Sequence, residues 1–161
     1  MTNKTILLNN YIFDYVEDLI PEGDSEGNIA TYSPQCLYDN KKNLPLLAEA
    51  ENNAKFCRFR LHNAFERSGV YVWIVDGKPI YIGETRNFRT RFNSGYGNIS
   101  PRNCYKGGQK TNVKMNKVVL DYWMRGQSIE LYFLMTNDYK KIELELIESY
   151  HPLYNEKNNK S

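Results

Sequence analysis

The stretch GVYVWIVDGKPIYIG, residues 69–83, constrains the fold of this chain more than any other segment. Two runs rich in β-branched and aromatic residues meet at Asp76-Gly77, a pair that tolerates the positive φ of a tight hairpin turn. Each run carries a tyrosine bracketed by glycine, as Gly69-x-Tyr71 on the first strand and Tyr81-x-Gly83 on the second. A hairpin sets the two rings on adjacent strands, where their hydroxyls can converge. Glycine within a strand marks close approach by other atoms. A buried tyrosine ordinarily packs its ring and finds one hydrogen bond. With thirteen tyrosines in the chain, it is the glycine brackets that set this pair apart.

The segments around the hairpin fill out the architecture. TRNFRTRF, residues 85–92, switches to helical period with Phe88 and Phe92 four apart. Residues 94–110 are rich in Gly, Pro, Asn and Ser and read as a long loop. TNVKMNKVVLDYWMR predicts a helix with Thr111 as N-cap and Gly126 past its end. SIELYFLMT predicts a third strand, and DYKKIELELIESY a last helix stopped by Pro152. The order β-β-α-α-β-α implies an α+β fold, a small three-stranded antiparallel sheet flanked by helices. Ahead of it, residues 5–20 read as an amphipathic helix, LPLLAEAENNA as a helix with Pro45 in its first turn, and KFCRFRLH as a half-buried strand. The expected organisation is an N-terminal helix/strand extension over residues 1–65, a core over 66–156 and a disordered tail over 157–161.

The net charge of +2 conceals a segregation: residues 1–51 hold 3 Lys/Arg against 9 Asp/Glu, whereas residues 84–117 hold 8 against the single acid Glu84. Basic charge gathered in one stretch suits a phosphate-lined partner, and equally a solvated face. Arg86, Arg89, Arg102, Lys106, Lys110 and Lys114 are the candidate nucleic-acid contacts in that stretch, joined by Arg58 and Arg60 on the outer face of KFCRFRLH. Cys36, Cys57 and Cys104 are widely spaced with no CxxC pair, which favours reduced thiols over a disulfide framework or zinc site. No apolar run approaches the roughly 18 residues a bilayer span needs. The N-terminus has acids where a secretory signal would be apolar. The expectation is a cytoplasmic protein with no membrane partner.

Two charged residues stand at informative positions. Arg91, on a helix starting near residue 86, lies about 60° from Phe88 at the edge of the buried face. An arginine at the rim of a core suits bidentate contact with phosphate, or a surface salt bridge. In the last helix Tyr139, Ile142, Leu146, Ile147 and Tyr150 form one apolar stripe, and Glu143 falls within it. A carboxylate there is costly unless it pairs with a cation, so Glu143 is either a buried partner for an arginine or a metal ligand.

Taken in order, these residues resemble the GIY-YIG nuclease superfamily. Gly69-Val70-Tyr71 reads as the first triplet of its name and Tyr81-Ile82-Gly83 as the second. Arg91, eight residues after Gly83, falls where the family has its catalytic arginine. Glu143 matches its metal-binding glutamate, and Asn155 at the end of PLYN its late asparagine. The resemblance covers residues 69–155. It implies hydrolysis of DNA phosphodiester bonds with one divalent metal, Mg²⁺ or Mn²⁺, held by Glu143. Tyr71 would act as general base or water-orienting group and Tyr81 would support it. Arg91 would stabilise the phosphorane charge, and Asn155 would order the site. One departure stands out: where family members often carry His or Tyr one turn after the arginine, this chain has Gly95, with Tyr96 one step later as the candidate proton relay. The Gly107-Gly108 loop either lines a substrate groove or is a surface excursion. Restriction or defence stands ahead of repair, and cutting both strands implies a homodimer. RNA stays open as a substrate, and the rival reading is a catalytically silent nucleic-acid-binding module.

Overall fold

The computed structural model describes residues 4–155. The chain divides into two compact units, one comprising the residues up to Asp18, Asn63–Arg89 and the residues from Ser128 onward, the other Leu19–His62 and Thr90–Gln127. The tail expected over 157–161 lies outside the described residues.

The first unit is built on one antiparallel sheet of five strands, not the three expected. Residues 5–18 do not form a helix. They fold as a hairpin of β1 (Thr5–Leu8) and β2 (Tyr11–Asp18), with Leu8 opposite Tyr11 and Thr5 opposite Asp14. Asn9 supplies the turn at φ 53, a left-handed conformation that asparagine tolerates. The central hairpin follows as β5 (Gly69–Val75) and β6 (Lys78–Thr85), turned at Asp76 (φ 50) and Gly77 (φ 77). β7 (Glu130–Met135) lies between β2 and β5, giving the order β1-β2-β7-β5-β6.

Strand alternation separates the two faces of this sheet. Val70, Val72 and Ile74 of β5 and Ile82 of β6 join Leu8, Phe13 and Tyr132 in one core. The last helix, α3 (Tyr139–Tyr150), covers that core with Ile142 and Leu146. Its C-terminus turns at His151, whose φ of 45 leaves the helical region one residue before Pro152. On the opposite face Tyr71, Trp73, Tyr81, Phe88 and Phe133 form an aromatic layer, with the Phe88 and Phe133 rings stacked at 4.0 Å. The segment that follows α3 lies along the outer edge of β6: the Tyr154 amide donates to the Ile80 carbonyl at 2.9 Å.

The second unit is mostly irregular chain around one long helix. β3 (Thr31–Tyr32) and β4 (Phe56–Cys57) make a two-stranded sheet, and Ala48–Ala50 is a single 3₁₀ turn where a longer helix was expected. KFCRFRLH keeps its alternation, with Cys57, Phe59 and Leu61 buried and Arg58 and Arg60 exposed. It pairs as a strand only at Phe56–Cys57. Beyond that the Phe59 amide is held by the Gly97 carbonyl and the Leu61 amide by the Asn93 side chain. The helix expected from Thr111 is α2 (Lys110–Met124), and Gln109 rather than Thr111 occupies its cap position. Gly126, at φ 75, follows its end. The core here is Ala50, Phe56, Ile99, Cys104, Tyr105 and Val113. All three cysteines are free thiols, with Cys36 exposed and the other two buried. Burial pushes the Cys57 thiol up to about 12 and the Cys104 thiol to about 11.

Candidate active site

In the first unit, pairing register explains why both triplets need their glycines. Tyr71 stands directly opposite Gly83, and Trp73 opposite Tyr81. The Tyr71 ring lies across Gly83: a Cβ at that position would collide with the Tyr71 hydroxyl and ring, with Cε1 at 2.6 Å. A Cβ at Gly69 would meet the Leu134 carbonyl and the Phe133 ring. Gly83 therefore makes room for the Tyr71 ring, and Gly69 for the backbone of β7 and the Phe133 ring. Tyr71 is 1% exposed and Tyr81 7%. Their ring centroids are 6.3 Å apart, and Tyr71 also stacks on Phe88 at 6.3 Å.

Asn155 acts on the other side of the hairpin. Its Nδ2 donates to the Ile82 carbonyl at 2.8 Å and its Oδ1 accepts from the Ile82 amide at 2.9 Å. The side-chain amide thus completes β6 as a neighbouring strand would, at the central residue of the second triplet. Glu143 sits on α3 one position after the buried Ile142 and is half-buried, like Ile147 of the apolar stripe. Glu145, on the same helix, is also half-buried and accepts from the Tyr11 hydroxyl at 2.9 Å.

Among the described residues no group of three or more His, Cys, Asp or Glu side chains gathers as a metal-binding set. A hard cation such as Mg²⁺ takes one or two carboxylates and fills its shell with water and substrate oxygens. A single half-buried glutamate fixed on a helix fits that requirement.

In the second unit the geometry centres on Arg91. The short helical turn α1 (Phe88–Thr90) continues into a π-helical turn over Arg91–Tyr96. There the Gly97 amide donates to the Phe92 carbonyl at 2.7 Å, an i to i−5 bond. The widened turn brings residue i+5, rather than i+4, back over residue i. Tyr96 accordingly takes the place that Gly95 would hold in a regular α-helix. Its hydroxyl accepts from Nη2 of Arg91 at 3.0 Å, and the guanidinium carbon lies 4.2 Å from its ring centroid. Nη1 of Arg91 donates to Oδ1 of Asn112, in the first turn of α2, at 2.6 Å. Tyr96 is fully buried, Asn112 is buried and Arg91 half-buried. One turn further along α2, the buried Asn116 donates to the carbonyls of Cys57 and Tyr96, each at 2.8 Å, and accepts from the Cys57 amide.

Among solved structures, the chain resembles the GIY-YIG N-terminal endonuclease domain of UvrC from Thermotoga maritima bound to its catalytic divalent cation, magnesium. Identity is 25%, coverage 58% of this chain and 88% of that one, and the TM-score 0.39. Two point mutants of the same domain, each bound to the catalytic divalent cation, match at 24% identity over the same shares, with TM-scores of 0.39 and 0.38. This chain is similar to GIY-YIG endonuclease domains. No protein-family model matches it, and no curated protein matches it.

The residues singled out in the sequence fall in both units. Tyr71, Tyr81, Glu143 and Asn155 belong to the first unit, and Arg91 and Tyr96 to the other. Of the basic residues, Arg60, Arg86, Lys106 and Lys110 are exposed and Lys114 is half-buried. Arg58 is exposed with its guanidinium 3.8 Å from the Tyr32 ring centroid. Arg89 is exposed and reaches back to the Ala64 carbonyl at 3.1 Å. Arg102 is half-buried and donates to the carbonyls of Tyr105 and Lys106, so it staples its own loop. Asn112 and Asn116 had no signal in the sequence: an asparagine within a helical run gives no sign that its amide is buried against another segment. No helix among the described residues is long and apolar enough to cross a membrane.

Proposed function

We propose that this chain is a metal-dependent endonuclease that hydrolyses DNA phosphodiester bonds. The observation that carries the reading is the pairing of Tyr71 with Gly83, which keeps the two tyrosines of the hairpin in one aromatic layer beside glycines that admit no side chain. Arg91, held by a neutral amide and a phenol, supplies a fixed positive charge. A guanidinium so oriented opposes the negative charge that grows on phosphorus-bound oxygens in the transition state. Tyr71 orients the attacking water or accepts its proton, and Tyr81 supports it. Asn155 acts as a positioning residue through the β6 backbone. Glu143 would hold the divalent cation, which supplies Lewis-acid stabilisation of the phosphate oxygens when bound. The exposed arginines and lysines of residues 84–117 suit the DNA backbone. A restriction or defence role, with a homodimer cutting both strands, is the form that best suits such an activity.

Incubation of the purified chain with supercoiled plasmid tests this directly. Cutting with Mg²⁺ and none in EDTA supports the nuclease. A chain that retards DNA and never cuts it under any divalent metal is a binding module instead, and cutting of RNA alone reassigns the substrate.

A further inference from the structure

We propose that Asn112 is the positioning residue that orients the Arg91 guanidinium for contact with a phosphodiester while adding no charge of its own. The inference rests on the nucleic-acid reading above and identifies a residue outside both triplets as part of the site. Three observations meet at this side chain. Asn112 is only 5% exposed, so its carbonyl oxygen is an acceptor withdrawn from water and must be satisfied within the protein. Its partner is Nη1 of Arg91 at 2.6 Å, short for a bond between a cationic donor and a neutral oxygen. Tyr96 holds the second terminal nitrogen at 3.0 Å, and the guanidinium carbon lies over its ring, 4.2 Å from the centroid. Two neutral acceptors on two different helical segments thus hold the two terminal nitrogens of the planar group.

The choice of amide over carboxylate is the chemical point. An aspartate would occupy the same space and accept the same hydrogen bond, yet its charge would cancel that of Arg91 and depress affinity for an anion. An alanine would leave the charge but release the guanidinium. The side chain at position 112 thus separates two contributions, orientation and net charge, that are ordinarily lost together.

The test uses the full chain and a labelled DNA duplex in EDTA, so that binding is read without cleavage, with thermal melting as the control for folding. Asn112→Asp should weaken binding about tenfold and lower the slope of log K against log salt by about one, the signature of one lost phosphate contact. Asn112→Ala should weaken binding severalfold at unchanged salt slope, because the charge remains. Arg91→Ala should lose as much as Asn112→Asp, and the double variant should lose no more than either. Wild-type affinity and slope in a folded Asn112→Asp would overturn the proposal. If Asn112→Asp does not fold, Asn112→Ala decides: full wild-type affinity overturns the proposal, and a severalfold loss at constant slope upholds it. A wild type that fails to bind DNA overturns it too. Cleavage of plasmid with Mg²⁺ by the same preparations reports on the nuclease reading alone: binding that responds to Asn112 without any cutting removes the enzyme and leaves the phosphate contact standing.

Discussion

Replacing Gly83 by alanine adds one methyl group at the most crowded point of the hairpin. The new carbon would fall within 2.6 Å of Cε1 of Tyr71 and nearer still to its hydroxyl. The backbone at Gly83 is ordinary extended strand, so none of the cost comes from φ. It comes from the ring, which has little room to retreat: Tyr71 is 1% exposed, with Phe88 and Tyr81 each at 6.3 Å between centroids. Overpacking of a closed site costs about 1–3 kcal/mol. For a chain of this length that lowers the melting temperature by about 2–12 °C. Urea unfolding followed by tryptophan fluorescence and far-ultraviolet circular dichroism measures the loss. Tyr71→Val removes the colliding ring, and on that background Gly83→Ala should cost less than about 0.5 kcal/mol, giving a coupling of at least about 0.5 kcal/mol between the two positions. A Gly83→Ala protein as stable as wild type, or an equal cost on both backgrounds, would refute the claim that the glycine exists to admit the tyrosine.

Asn155→Ala removes both hydrogen bonds to Ile82 and should cost about 1–3 kcal/mol, raising amide exchange at Ile82 while leaving that of β1 and β2 unchanged; uniform loss of protection across the sheet would contradict a local role. The buried thiols make stability fall at high pH. Below about pH 9 folded and unfolded chains both hold these protons, whereas above it the unfolded chain releases them and the fold retains them up to about 12 at Cys57 and about 11 at Cys104. Each thiol then removes up to about 1.4 kcal/mol per pH unit. Urea midpoints at pH 8 and 10 should differ less in Cys57→Ala than in wild type, and equal differences would contradict the burial.

The sequence revealed the parts of this protein whose determinants are local. The β5–β6 hairpin was legible because Asp76-Gly77 dictates its turn and apolar alternation its strands. α2, β7 and α3 followed from periodicity and from their stops at Gly126 and Pro152. The β1–β2 hairpin was misread as a helix because TILL and YIF are short apolar runs that fit either period, and Asn9-Asn10 is a weaker turn signal than Asp-Gly. Residues 45–51 have helical composition but form one 3₁₀ turn. Their context is tertiary: the Leu47 amide is held by the Cys104 carbonyl, far away in sequence. Tyr96 stood out only as a residue one step beyond a helical turn from Arg91, and a π-turn of the kind that spans Arg91–Tyr96 leaves no mark in periodicity. Asn112 was invisible because a buried amide is defined by what faces it, which periodicity does not record.

Single-turnover cleavage of plasmid by wild type, Glu143→Ala and Arg91→Ala, with folding and DNA affinity measured on each preparation, bears most directly on the nuclease. Folded Glu143→Ala should bind DNA and cut no faster than wild type in EDTA. Folded Arg91→Ala should cut about 10²–10³ times more slowly than wild type once its weaker binding is saturated. Metal-dependent cutting that survives in either variant at the wild-type rate would contradict the account.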